Sequence, residues 1–250
     1  MKLPGKAVLP WAPTALAGLA FLAWVLRFDL FEALLSPFVT RKAIFAERES
    51  LAVLAGQHLL LVATTSIPAF LAAFLSAMAM ARTASASTRS FFLHVSSLGE
   101  TVPTVALMAL LVPTLGYGFA PVASALFLYG LLPVFRNTLT GVDATPCGIV
   151  EAAEGCGMTE AQILWRIRLP WALPLVIQGV RISLVINIAA ATVGAVAGAG
   201  GLGSVILSGL RSFDSLMILK GSIPVALLAL CADSALRVVE RTVDRGRNVS

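Results

Sequence analysis

Charged residues are scarce in this chain. It has 18 Lys or Arg and 13 Asp or Glu, together 12% of 250 residues, whereas a soluble globular domain carries about 25%. Hydrophobic residues make up 58%, which a soluble domain of this length cannot bury, because more than half of its surface still meets water. The composition excludes a soluble globular enzyme and a disordered chain, and it indicates a helical membrane protein.

Cysteine and histidine are also few. The three cysteines form no C-x-x-C pair and the two histidines stand alone, so neither a disulfide framework nor a zinc site is predicted. We interpret the cysteines as small hydrophobic residues in packed helices. We expect no metal site and no cofactor bound by this chain. The basic residues flank hydrophobic runs instead of interleaving with aromatics, which argues against a nucleic-acid partner.

Long uncharged runs are what the chain has in abundance. A helix needs about 20 apolar residues to cross a bilayer, and strand-like alternation is absent. The uncharged runs cover residues 7–26, 50–81, 101–135 and 182–210. The chain is therefore predicted to be an all-α membrane protein with about six transmembrane helices, near residues 10–26, 57–81, 91–113, 119–135, 171–198 and 216–238.

The distribution of Lys and Arg predicts which side each loop faces. With the N-terminus in the cytoplasm, 12 of the 18 basic residues lie on or towards the inside and 6 outside, as the positive-inside rule requires. Both termini and the loop 137–170 are then cytoplasmic. We expect residues 1–56 to form a first helix and an external amphipathic segment, 57–239 the main membrane-spanning core, and 240–250 a basic tail.

The polar loop between the fourth and fifth spans predicts two short helices joined by a glycine turn. Pro146 can open the first helix, and Gly155 and Gly157 break it, since glycine adopts positive φ at little cost. Thr159 with Gln162 forms a capping box for the second helix.

The same loop has features of a docking element. Pro170 is expected to end the second helix, and the small Ala152 and Ala153 leave room for a partner. Three apolar residues give the second helix a stripe: Ile163, Leu164 and Ile167. A compact helical knob suits docking to another protein, and an ordinary structured loop is the alternative.

The loop resembles the EAA signature of permease subunits of ABC importers. The pattern is Glu-Ala-Ala, three residues, Gly, nine residues and Ile-x-Leu-Pro, at Glu151, Ala152, Ala153, Gly157, Ile167, Leu169 and Pro170. Further stretches are similar to the osmoprotectant (glycine betaine, carnitine and choline) permeases: 100–103, 132–138, 198–203, Asp214 and 221–233. The resemblance covers about residues 57–239.

This resemblance implies the type I ABC importer permease fold, with a cytoplasmic coupling helix, in the bacterial inner membrane. Two permease subunits, identical or sister chains, would form the pore in membrane lipid. Two ATP-binding subunits would bind ATP and Mg, and an extracytoplasmic protein would deliver substrate. The loop would convert ATPase closure into helix motion. The chain has no G-x-x-x-x-G-K-S/T sequence, so hydrolysis is expected on the partner and this chain is not an enzyme.

Several alternatives stay open at this point. A methionine-, taurine- or nitrate-type permease is the nearest one, and a passive channel or an intramembrane enzyme belongs to another class. An enzyme should show a nucleophile–base or metal set within the spans, and a channel would not need a docking loop.

Three polar residues are candidates for the translocation path. Glu100 and Asn187 depart from the usual residues of the osmoprotectant subfamily. Glu100 lies within the predicted third span without a cation within one turn, so it either faces a pathway or is a protonated packing residue. Arg181 either faces a polar cavity or extends to the interface. Asp233 and Arg237 are spaced for a mutual ion pair.

Glycines cluster near the end of the fifth predicted span. Gly198-x-Gly200-x-x-Gly203 fits the dinucleotide-binding pattern, but it lies in an uncharged run without a strand–turn–helix unit, so that interpretation fails. A break or re-entrant turn is favoured instead. Gly194 and Gly198 form G-x-x-x-G, typical of close helix packing. Together with Gly201, these glycines are predicted to serve helix packing or gating.

Overall fold

The computed structural model describes residues 10–35 and 50–247. All regular structure in these ranges is helical, in agreement with the predicted fold class. The helices are α1 (Ala12–Leu26), α2 (Phe28–Leu35), α3 (Leu51–Thr83), α4 (Ala86–Gly99), α5 (Thr104–Leu115), α6 (Phe119–Asp143), α7 (Cys147–Gly155), α8 (Glu160–Ile163), α9 (Leu169–Val193), α10 (Leu202–Ser212) and α11 (Ser215–Arg247). A π turn (Leu164–Arg168) precedes α9, and a 3-10 turn (Gly194–Ala197) follows it.

Four of the described helices are long and apolar enough to cross a membrane. They span Leu51–Thr83, Phe119–Asp143, Glu160–Ala197 and Ser215–Asp244. The pair α4 and α5, bent by 88°, makes a fifth if it counts as one span. The first predicted span is α1, which has only 15 residues. The prediction of six is therefore reached only when this short helix and the bent pair are both counted.

The centre of the fold is α6 packed between α3 and α9. Val122 and Leu126 of α6 are fully buried against apolar residues of both neighbours, Leu61 and Ile188 among them. Gly179 of α9 lies so close to α6 that an added Cβ would be 3.0 Å from the carbonyl oxygen of Pro133. Small residues permit such close approach where no hydrophobic force joins helices in lipid.

The first helix packs on the last one and runs antiparallel to it. Gly18 faces Cys231, whose Sγ would be 3.7 Å from an added Cβ. At the other end of α1, the indole N–H of Trp24 donates to the carbonyl oxygen of Lys220 at 3.2 Å. This helix therefore lies at the edge of the molecule, against α11.

The predicted third span is not one continuous helix. Helix α4 ends at Gly99 and α5 begins at Thr104, with Pro103 in an extended conformation at its N-cap (φ −62°, ψ 127°). Proline has no N–H for the helix ladder and disfavours the α conformation in the residue before it, Val102. The 88° bend follows from this proline.

The second loop helix does not end at Pro170, contrary to the prediction. It continues through the π turn into α9, so that residues 160–197 form one span. The backbone N–H of Leu169 donates to the carbonyl oxygen of Leu164, five residues back. Pro170 then falls in the first turn of α9, where a missing N–H costs little.

Part of the predicted external segment falls outside the described residues. Its first residues form α2, and Trp24 stacks against Phe28 and Phe31 at centroid distances of 5.5 and 4.7 Å. Residues 36–49, the first nine residues and the last three are not described.

Candidate functional site: coupling loop and membrane polar residues

The loop between α6 and α9 folds around its own small core. Val150 and Ala153 of α7 pack against Ile163 of α8, and all three are buried. Met158 and Ile167 cover this core from the sides. The loop is thus a preformed knob of two helices, as predicted.

The second helix of the knob begins with the predicted capping box. The hydroxyl of Thr159 accepts from the backbone N–H of Gln162 at 3.4 Å, and the Gln162 side chain accepts from the N–H of Thr159 at 2.8 Å. Two N–H groups at the helix start are satisfied in this way, which fixes where α8 begins.

One face of the knob is exposed. Glu151, Ala152 and Gly157 lie at the surface, and Gly157 has φ +76° with open space where a Cβ would be. Glycine is needed there for its backbone conformation, not for room. Ala153, by contrast, is only 6% exposed, so its small side chain lets α7 approach α8 and does not face a partner.

The end of the signature connects the knob to the membrane helices. Leu169 packs against the buried cluster formed by Met78, Val142 and Ala172, with Leu164 among them. Pro170 is exposed at the start of α9. Residues 160–197 form one continuous span, so the knob is joined to α9 without a break in the helix.

Glu100 lies at the bend between α4 and α5 and has a cation partner. Its Oε2 is 3.1 Å from Nη1 of Arg136 on α6, and 25% of its side chain is exposed. The expectation of a carboxylate inside a continuous span without a cation is therefore wrong. No local sequence pattern predicts this pair, because the two residues are 36 positions apart.

Arg181 joins α9 to α11. It contacts Asp233 at 3.0 Å and Glu240 at 3.3 Å, and 18% of its side chain is exposed. The predicted Asp233–Arg237 pair is confirmed at 2.8 Å. Arg181 therefore neither faces an open cavity nor extends to the interface, since two carboxylates hold it between the helices.

Asn187 is fully buried between three helices. Its amide donates to the hydroxyl of Ser66 on α3 at 3.0 Å. Its Nδ2 would also be 2.6 Å from a Cβ added to Gly130 of α6. In this conformation Asn187 packs helices together and does not line an opening.

The glycine cluster forms a sharp break after α9. Gly198, Gly200 and Gly201 have φ of +88°, +75° and +71°, a region that side chains disfavour. The side chain of Gln57 on α3 accepts from the N–H of Gly201 at 3.1 Å, and His58 lies against the same glycine. Gln57 was not singled out from the sequence, although a polar residue within a span is itself a signal.

The flanking glycines permit close packing. A Cβ on Gly194 would lie 2.5 Å from Cγ1 of Val122, and one on Gly203 would overlap the carbonyl oxygen of Thr192. The first contact packs the 3-10 turn after α9 against α6, and the second places α10 close to the backbone of α9.

These features describe a helical membrane protein with a folded loop between two of its spans, and comparison with known proteins identifies its class. The chain belongs to the family of binding-protein-dependent transport system inner membrane components, which matches residues 52–245. It is an ABC importer permease.

Individual relatives make the similarity more specific. The chain is 40% identical over 158 residues to the carnitine transport permease protein OpuCB of Listeria monocytogenes. The aligned residues make up 63% of this chain and 72% of that protein. It is 35% identical over 191 residues to the osmoprotectant import permease protein OsmY of Salmonella typhimurium, and this alignment covers 76% of this chain and 81% of OsmY. The choline transport system permease protein OpuBB of Bacillus subtilis is 39% identical to it over 142 residues, which are 57% of this chain and 65% of OpuBB.

The fold also matches a solved structure. A chain of the MetNI methionine ABC transporter, seen in inward-facing conformations, superposes with a TM-score of 0.67 at 20% identity, covering 77% of this chain and 96% of that one. The identity is low, so this likeness concerns the fold alone. It confirms the predicted permease fold.

Proposed function

We propose that this chain is the translocating subunit of an ATP-driven importer for quaternary-amine osmoprotectants such as glycine betaine, carnitine and choline. The names of the curated relatives support this substrate class. The observation that carries the mechanism is the knob at 147–163, which exposes Glu151 and Ala152 while it continues into a membrane-spanning helix.

Coupling follows from this geometry. An ATPase subunit that binds the exposed face of α7 would move the knob as a unit, because the core of the knob holds α7 to α8. Since residues 160–197 are one span, that displacement shifts α9 relative to α6. This is rigid-body switching at an interface. Two ATP-binding subunits, a second permease subunit and an extracytoplasmic binding protein complete the proposed assembly, with both termini in the cytoplasm.

Glu100 is the proposed path residue that the structure supports best. Its carboxylate lies at a helix bend, where the backbone is opened, and its Oε1 has no hydrogen-bond partner among the described residues. A passing ammonium group could share this carboxylate with Arg136 through Coulomb attraction, which is stronger in a cavity of low dielectric constant than in water. Arg181 and Asn187 are proposed to position helices around the path.

The coupling role is tested in proteoliposomes that contain the assembled importer. Glu151→Lys reverses the charge on the exposed face of α7, and we expect it to abolish ATP-driven uptake while the protein still inserts. Gly157→Ala forces a side chain into a positive-φ position at a cost of about 1–2 kcal/mol, and uptake should fall. Gly155→Ala is the matched control, because Gly155 is exposed, helical and has open space at its Cβ.

Normal uptake with both Glu151→Lys and Gly157→Ala removes the coupling assignment. The same assay tests the substrate class, with choline, carnitine and glycine betaine compared with methionine, taurine and nitrate. Quaternary amines should be accumulated only with ATP. Accumulation of methionine, taurine or nitrate alone contradicts the proposed substrate, and uptake without ATP favours a passive channel.

A further inference from the structure

A groove of about 660 Å³ lies along one side of the contact between α1 and α11. Its walls are apolar over most of their length, with Leu16 and Ala17 on α1 and Leu227 and Leu230 on α11. Leu16 and Leu230 are 71% and 58% exposed. Helix α1 lies outside the residues that match the family, which begin at 52, so one wall of this groove lies outside the matched region.

The two ends of the groove differ in charge. Towards the C-terminal end of α11 the lining includes Asp233, Arg237 and Arg241, and Arg237 and Arg241, four residues apart, lie on the same helix face. Both oxygens of Asp233 are already bound, one by Arg181 and the other by Arg237. Arg241 has no ion pair within the part of the chain that the structure describes.

The charge balance at this end is positive. The groove lining holds the two arginines Arg237 and Arg241 against one carboxylate, Asp233. The lining therefore has an excess of one positive charge at this end. An anionic group is complementary to this end.

The distance from the apolar end of the groove to the first of its two arginines matches one leaflet of a bilayer. From Leu227 to Arg237 is ten residues, about 15 Å along a helix at 1.5 Å per residue. The hydrocarbon core of a bilayer is about 30 Å thick, so one leaflet is about 15 Å. An acyl chain that follows the apolar walls from the bilayer centre would bring its phosphate to Arg237 and Arg241. Basic pockets between transmembrane helices bind anionic lipid headgroups in this manner.

We infer that the groove between α1 and α11 binds one anionic phospholipid, with an acyl chain along Leu16, Ala17, Leu227 and Leu230 and its phosphate at Arg237 and Arg241. The lipid would fill the space between the peripheral helix and the permease core. It would thereby add to the direct contact between α1 and α11.

The test uses the assembled importer in nanodiscs of equal parts phosphatidylglycerol and phosphatidylcholine, with bound lipids counted by native mass spectrometry. The wild type should retain phosphatidylglycerol in preference to phosphatidylcholine. Arg241→Gln should reduce the retained phosphatidylglycerol about fivefold, which corresponds to about 1 kcal/mol for one basic residue. Arg211→Gln removes the same charge from the exposed end of α10, away from the groove, and should leave retention unchanged.

A second pair of variants tests the apolar wall. Ala17→Phe places a ring in the groove and should displace the lipid, whereas Ala15→Phe, on an exposed position outside the lining, should not. If the Ala17→Phe protein fails to assemble, the phosphatidylglycerol retained by Arg241→Gln still tests the inference. Equal retention of both lipids, or retention unaffected by Arg241→Gln, overturns the inference. Efficient cross-linking of Leu16→Cys to a second copy of this chain also overturns it, because the groove is then a protein interface.

Discussion

Polar side chains in the membrane region of this permease find partners on neighbouring helices. Glu100 pairs with Arg136, Arg181 with Asp233 and Glu240, and Asn187 donates to Ser66. An unpaired charge in hydrocarbon is costly, so such partners decide what a polar residue does. Of these three residues, Glu100 is the one that combines an ion pair with a helix bend.

Glu100→Gln keeps the shape of the side chain and removes its charge. We expect ATP-driven choline uptake to fall while the amount of assembled complex is preserved, because the path would lose an attractive carboxylate. The measurement is initial uptake rate in proteoliposomes, with complex quantified by gel filtration. The Glu100–Arg136 pair is partly exposed, and its loss should cost no more than about 1 kcal/mol of stability.

The companion variant Arg136→Gln leaves the carboxylate in place without its partner. A path role predicts that Glu100→Gln impairs uptake even in the Arg136→Gln background. If instead Glu100→Gln destroys the complex, Glu100 packs helices. Wild-type uptake by Glu100→Gln contradicts a role for its charge.

At the level of helices, the important features are interruptions. The bend at Pro103, the π turn before α9 and the glycine break after it each change the direction or register of a span. The glycine break is the most tightly packed, because Gly201 contacts His58 of α3 and Gly203 contacts the backbone of α9. The glycine break therefore depends on neighbouring helices.

Gly203→Ala should destabilise the protein, because its Cβ would overlap the backbone carbonyl of Thr192. Overpacking of this kind costs about 1–3 kcal/mol. Gly56→Ala is the matched control, since Gly56 lies within α3 with nothing within 4 Å of its Cβ, and helix propensity predicts a gain of about 1 kcal/mol. Thermal unfolding of the purified complex measures both. Equal melting temperatures for the two variants would show that the close approach of α10 to α9 is absent.

For the whole molecule, the arrangement is a core of α3, α6 and α9 with α1 at the edge. The matched family residues, 52–245, contain that core and exclude α1. The inferred lipid groove lies at the boundary between the two parts. The orientation of the core in the membrane is a proposal that rests on the distribution of basic residues.

Reporter fusions test this orientation. Tyr117 precedes α6 and Thr145 follows it, so the two sites lie at opposite ends of a helix of 25 residues, about 37 Å long. A reporter after Thr145 should be cytoplasmic and one after Tyr117 external. The same location for both contradicts the structure, and the reverse pattern contradicts only the assignment of sides.

Much of the docking knob could be predicted because its signals are local. The capping box joins residues three positions apart, and the apolar stripe of α8 follows from helical periodicity. The prediction failed at Pro170, because a π turn lets the helix continue where the α-helical ladder would end. It also failed at Ala153, since burial inside the knob depends on how α7 packs on α8.

The sequence by itself determined that this is a helical membrane protein with a folded loop between two of its spans. Hydrophobic run length, charge distribution and short-range capping all act along one segment, and backbone geometry sets their period. Only the tertiary structure decided the partners of Glu100 and Arg181, and that Gln57 binds Gly201 from 144 residues away. The physical reason is that such contacts depend on which helices become neighbours and how each is rotated, and no local pattern encodes either.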